Sequence, residues 1–235
     1  MTAPSYAQQA TGGTSGTDLS PHFVLGPSKP GKFGPAALGT GATITWGLMP
    51  TGTDCGSEHA GCKITALSAF MPDGYLTQIR AAFNAWASVA NLRFVEGIDN
   101  GFAVNVLNGA SVDIRIGGHP MPDEAHSFYP PVYGDSVSGD IHFNVNELFK
   151  TTYGGPGFNV FNKAVHQIGH ALGLAHTTAP GSVMSEFYKD EFMLPNVDDI
   201  AGMRHLYGPN VVPVPATLLL MMAGLLGLAG VRRRA

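Results

Sequence analysis

Val165-His166-Gln167-Ile168-Gly169-His170-Ala171-Leu172-Gly173-Leu174-Ala175-His176 is the stretch that decides how this chain is read. His166 and His170 are four residues apart, so on a helix they lie about 40° from each other and one turn apart. That spacing lets both imidazoles reach one metal ion. His176 follows six residues later and on a continuous helix would point about 240° away. The chain must therefore turn, and Gly173 stands where a positive φ would allow it. Three neutral imidazoles converging on one point describe a zinc site with its fourth position open for water. A purely structural zinc fits less well, because structural sites are closed by four protein ligands.

Outward from this stretch the chain alternates strands and helices. The helix itself is expected over about Asn162–Leu172, with Gly173 as its stop. Ala42–Leu48 alternates with period two and reads as a strand. Pro72-Asp73 opens a helix with Asp73 as N-cap; Leu76, Ile79, Phe83 and Trp86 follow at spacings of three and four, one buried stripe. Leu92–Val95, Val112–Ile116 and Asp140–Asn144 are further strands, and a third helix is expected from Val197 to Leu206. No internal repeat is present. The pattern is that of an α/β (α+β) domain.

The composition sets bounds on function. Of 235 residues, 44% are hydrophobic and 13% charged, the latter about half the usual share for a soluble domain. With 31 Gly and 17 Pro the chain is too rich in turn formers for a helical bundle. A net charge of −4 argues against nucleic acid as a partner, which would call for a basic face. Residues 209–235 hold three arginines and no acid, so the remainder carries ten basic residues against all 17 acidic ones. The end segment has a separate role.

Three regions follow: a leader at 1–38, a domain at 39–208 and a tail at 209–235. The leader is rich in Gly, Thr, Ser and Pro and reads as flexible. It lacks the basic start and apolar run of a secretory signal. Cys55 and Cys62 close a small Gly-rich loop that suits a disulfide in an oxidising compartment, the alternative being two reduced thiols in an exposed loop. The tail runs Val212-Pro213-Val214-Pro215, an apolar stretch over Ala216–Val231, then Arg232-Arg233-Arg234. As a helix the apolar stretch would be about 24 Å long, slightly short of a bilayer core of about 30 Å. The arginines fit the cytoplasmic end of a membrane stop.

The histidine stretch resembles the metzincin zinc-peptidase signature His-Glu-x-x-His-x-x-Gly-x-x-His, and the likeness extends to the matrixin branch. Met184 in Gly181-Ser182-Val183-Met184-Ser185 stands where that branch places its Met-turn, and Asp198-Asp199-Ile200-Ala201-Gly202 with Leu206-Tyr207-Gly208 looks like its closing helix. The resemblance covers about residues 40–208. It implies a metzincin-like fold: a twisted mixed sheet, an active-site helix, a second long helix and a short C-terminal helix. It also implies a metalloendopeptidase acting on protein or peptide substrates, with catalytic zinc on His166, His170 and His176. Tyr188 would help to wall the substrate pocket. The tail resembles the PEP-CTERM sorting signal, with Val214 where the commonest form has Glu. This implies exosortase-type sorting machinery and the membrane as partners through residues 212–234, and an extracytoplasmic, Gram-negative bacterial location.

Three departures qualify what the resemblance implies. Gln167 stands at the general-base position, where the family has Glu; an amide lacks the basicity to take a proton from zinc-bound water and pass it to the leaving amine. Zinc binding without useful turnover is therefore expected. Glu186 is the alternative base, although nothing in the sequence places it beside the water. A second, structural zinc is implied on His119, Asp123, His126 and His142, but Pro120-Met121-Pro122 separates its first two ligands unlike the family pattern. A calcium site is expected to be weak or absent, because Asn144 and Asn146 stand where carboxylates would be needed and only Glu147 is acidic. No cysteine-bearing inhibitory propeptide is expected. The competing reading is a surface-anchored pseudopeptidase that holds peptides without cutting them.

Overall fold

The computed structural model describes residues 22–27, 31–104, 106, 109–130 and 137–210. The first half of the leader and the whole apolar tail lie outside these. Among the described residues, no helix is long and apolar enough to cross a membrane.

Five strands form one sheet: β1 (Ala42–Leu48), β2 (Leu92–Glu96), β3 (Ile114–His119), β4 (Ala125–Ser127) and β5 (Ile141–Asn144). Their order is β2-β1-β3-β5-β4, parallel throughout except for β4, which runs antiparallel along the outer side of β5. A two-stranded ribbon, β6 (Phe149–Lys150) with β7 (Phe158–Asn159), leads into the histidine-bearing helix. The helices are α1 (Tyr75–Val89), α2 (Val160–Ala171) and α3 (Val197–Tyr207). This is a mixed α/β domain, and β3 and β5, both wholly buried, form its centre.

The expected α1 stripe is the packing face. Ile79, Phe83 and Trp86 are buried, and Leu76 packs at the edge of the same core. Burying each such side chain contributes about 1.5–3 kcal/mol. Trp86 also donates its indole N–H to the Val165 carbonyl at 2.9 Å, pinning α1 to α2. Two details differ from the sequence reading. Gly74 at φ 84, not Asp73, occupies the N-cap of α1, and no side chain caps that helix. β3 runs on to His119, past the expected end at Ile116.

The larger difference lies in the leader. Residues 22–27 and 31–38 contribute to the domain: Leu25 bridges Leu174, the Val24 carbonyl accepts from Ala175 N at 2.8 Å, and Gly26 N donates to the Gly173 carbonyl at 2.7 Å. Phe33 is in the core and its N–H donates to the Tyr207 hydroxyl at 3.0 Å. Main-chain pairing and single aromatic anchors hold this arm, and neither produces the periodicity by which strands and helices are recognised.

Candidate metal centres and their surroundings

α2 opens at Asn159, whose side chain accepts from Asn162 N, and it is buried along most of its length. His166 and His170 face the same way from it. His166 donates through Nδ1 to the Val183 carbonyl at 2.8 Å, and His170 through Nδ1 to the Leu174 carbonyl at 2.7 Å. A carbonyl can only accept, so each ring carries its proton on Nδ1 and turns its Nε2 lone pair inward. At Gly173, φ is 113, the chain turns, and His176 comes round to the same point. The Nε2 atoms of His170 and His176 lie 3.0 and 3.2 Å from that of His166.

Lone-pair-bearing atoms this close repel each other unless a cation sits between them. Zn–N bonds of about 2.0–2.1 Å in a tetrahedron place the nitrogens about 3.3 Å apart, so the three fit one zinc ion. Burial pushes the pKa of His166 well below its usual value and that of His170 down to about 4, in each case helped by a neighbouring imidazole. Burial lowers His176 as well, although its ring is at the surface. All three are therefore neutral and available as ligands at pH 7. The sulfur of Met184 lies beneath α2 against Gly169, where a Cβ would sit 2.3 Å from it; only glycine permits that approach.

The turn carrying Met184 is held by Asp199 of α3. Its carboxylate accepts from the Ser182 hydroxyl, from Val183 N at 3.0 Å and from Asn196 N at 2.9 Å. Val183 in turn anchors His166 through its carbonyl. Asp199→Ala is therefore expected to cost about 3 kcal/mol of stability and to weaken metal retention at the three histidines, read as a lowered chemical-denaturation midpoint and earlier zinc release to a chelator.

Gln167 is buried, 5% exposed. Its Oε1 accepts from the Ser127 hydroxyl at 2.7 Å and its amide nitrogen donates to the Ala125 carbonyl at 3.3 Å, so β4 holds both ends of the amide. Beside His166 a shallow groove, open to solvent, is lined by Asn162, Lys163, Val183, Glu186, Tyr188 and Met193 among others. Tyr188 thus stands in the groove wall. Its hydroxyl accepts from Asn159 N and donates to Asp190, and burial pushes its pKa up to about 12.

A second cluster lies at the end of β3. The register sets His126 of β4 directly opposite His142 of β5, while His119 follows two residues after the β3 partner of His142. The fourth member is Glu58, not Asp123: one ligand atom from each of Glu58, His119, His126 and His142 lies within 4.8 Å of the others. Glu58 Oε2 is 3.0 Å from both His119 Nε2 and His126 Nε2, and Oε1 is 2.8 Å from His142 Nδ1. Asp123 is exposed beyond the rigid Pro120-Met121-Pro122 segment. Burial alone would raise the pKa of Glu58, but the facing imidazoles hold it well below the usual carboxylate range.

Asn144, at the position read as unsuited to calcium, has a different use. Its amide donates to the carbonyls of Met121 at 2.7 Å and Asp123 at 3.0 Å, binding the proline loop to β5. Asn144→Asp removes those donors and sets a carboxylate against two carbonyl oxygens. The variant is expected to lose about 1–3 kcal/mol and to regain part of that loss when millimolar calcium is added, since hard cations bind such oxygen clusters. Thermal unfolding with and without calcium measures both effects.

A mixed sheet, a three-histidine cluster on a helix that ends in a glycine turn, and a methionine beneath it are the features of a zinc-metallopeptidase scaffold. Residues 59–208 match the Matrixin family model, and residues 211–234 match the PEP-CTERM protein-sorting motif. The chain is 40% identical over 141 residues to matrix metalloproteinase-20 of Homo sapiens, covering 57% of this chain and 28% of that protein. It is 37% identical over 161 residues to matrix metalloproteinase-16 of Rattus norvegicus, covering 58% and 24% respectively. The chain spans about a quarter of the length of these curated relatives. It belongs to the matrixin family.

Proposed function

We propose that this chain is an extracytoplasmic matrixin whose centre on His166, His170 and His176 holds zinc and whose groove receives peptides, with turnover strongly impaired by Gln167. The observation that carries this reading is the buried amide of Gln167, engaged at both ends by Ser127 and Ala125. Zinc bound at such a centre lowers the pKa of a coordinated water to about 7 and polarises a carbonyl. The protein must still remove a proton and deliver it to the leaving amine, and an amide does neither. Glu186 lines the groove and acts on His176 only through its charge, with no hydrogen bond to that ring.

The same observation favours a second reading, a pseudopeptidase that binds peptides or proteins at the cell surface. The PEP-CTERM motif supports handling by exosortase-type machinery and a membrane-associated stage through residues 212–234. The zinc-loaded full chain, incubated with a peptide library, separates the readings by measuring binding and cleavage together. Binding with cleavage close to the zinc-free background supports impaired turnover; cleavage at ordinary peptidase rates would overturn it.

A further inference from the structure

The second cluster is completed by a residue that belongs to neither the sheet nor the histidine segments. Glu58 lies within the Cys55–Cys62 loop, and the disulfide is formed. The loop is a tight hairpin. Ile64 N donates to the Thr53 carbonyl at 2.9 Å, Asp54 bridges Lys63, and the disulfide links the next pair inward. Inside it two turns meet back to back: Glu58 N donates to the Cys55 carbonyl at 2.9 Å and Cys62 N to the His59 carbonyl at 3.1 Å. Both cysteines are buried against Met49, Ile64 and Val104, a small core separate from the main one. Thr65 exchanges two main-chain hydrogen bonds with Gly118, fixing the hairpin next to His119.

Most donor atoms at the cluster are not paired off as hydrogen bonds; the exception is the His119 Nε2–Glu58 Oε2 contact at 3.0 Å. Glu58 Oε1, His126 Nε2 and both ring nitrogens of His142 are buried without a hydrogen-bond partner, despite separations of 2.8–3.0 Å between carboxylate and imidazoles. Buried polar atoms in native proteins are almost always satisfied. Lone pairs aimed at a shared point, rather than along each other's N–H directions, are satisfied by a cation. Three imidazoles and one carboxylate, with no position left for water, are a closed tetrahedral zinc set.

We propose that Glu58 is the fourth zinc ligand of this second centre and that the Cys55–Cys62 disulfide is the device that positions it, so that metal retention there depends on oxidation of the loop. Asp123 has no part in it. The two cysteines are 7 apart in sequence, four of the six positions between them are glycine, serine or alanine, and the disulfide is the one covalent constraint on the segment that carries the carboxylate. The assignment is independent of turnover at the three-histidine centre.

The test counts zinc bound to the full-length chain by mass spectrometry while a competing chelator is raised, with circular dichroism as the check on folding. The unaltered chain is expected to hold two zinc ions. Glu58→Gln should lose the second with an affinity loss of about 100-fold or more, and Asp123→Asn should keep both. Cys55→Ser/Cys62→Ser should weaken the second ion about 10–100-fold, the range seen when ligand-orienting contacts are removed, and leave the first unchanged. If Glu58→Gln does not fold, Glu58→His decides: with cobalt in place of zinc it should keep the second ion and shift the visible spectrum from a three-nitrogen, one-oxygen set to four nitrogens. Wild-type retention by Glu58→Gln, an unmoved cobalt spectrum in Glu58→His, or zinc loss in Asp123→Asn overturns the ligand assignment. Wild-type retention by the double serine variant overturns the role given to the disulfide.

Discussion

Gln167→Glu, loaded with zinc, is expected to cleave peptides about 10²–10⁴-fold faster than the chain as it stands, the usual contribution of a positioned general base. That corresponds to about 3–5 kcal/mol of barrier. The change is nearly isosteric, so α2 and the groove should be undisturbed. One carboxylate oxygen inherits the hydrogen bond from Ser127. The other takes the place of the amide nitrogen and faces the Ala125 carbonyl, acceptor against acceptor. That contact disfavours the ionised form slightly and welcomes a proton, because a protonated carboxyl can donate to Ala125 as the amide now does. A residue that must gain and then surrender a proton is suited by such surroundings. A fluorogenic peptide assay on both proteins gives the ratio directly. Equal rates, with zinc shown to be on the three histidines, would sink the peptidase reading and leave the groove as a binding site.

Gly173→Ala should be the most damaging single methyl group in the domain. At φ 113 an L-residue is strained, at a cost of about 1–3 kcal/mol. A Cβ there would also fall 2.1 Å from the Gly31 carbonyl oxygen, which is backbone and cannot rotate away. Together these should remove roughly 3 kcal/mol or more from a total stability of about 5–15 kcal/mol. The damage should also reach the metal centre. Leu174, whose carbonyl orients His170, is the next residue, and His176 enters only because the chain turns here. Gly181→Ala is the control: its φ is 73, but no atom lies within 4 Å of a Cβ there, so it should cost about 1–2 kcal/mol and leave zinc binding alone. Urea unfolding of both variants, with zinc content measured on each, gives the comparison. Similar losses in the two would remove the argument for the Gly31 contact.

Much of the three-histidine centre was legible because its information is local. Two ligands one helical turn apart and a glycine three residues before the third dictate their own geometry, and the helix periods around Trp86 and the strand alternation at Ala42–Leu48 are likewise short-range signals. The attachment of residues 22–27 and 31–38 is not legible in the sequence, because it comes from main-chain bonds to Gly173 and Ala175 and from isolated aromatics. Asp73 is not the cap of α1 because Gly74 reaches a left-handed conformation there, which no propensity rule requires of it.

The second centre marks the boundary. The sequence by itself set His142 on a strand over Asp140–Asn144, and its resemblance to the family grouped His142 with His119, His126 and Asp123. Only the tertiary structure decided that the carboxylate comes from Glu58, 61 residues before His119. Three things select it: the disulfide that tightens its loop, the Thr65–Gly118 pairing that docks the hairpin on β3, and the proline segment that holds Asp123 outside. Each joins parts of the chain that no local period relates, so the choice is settled by packing alone.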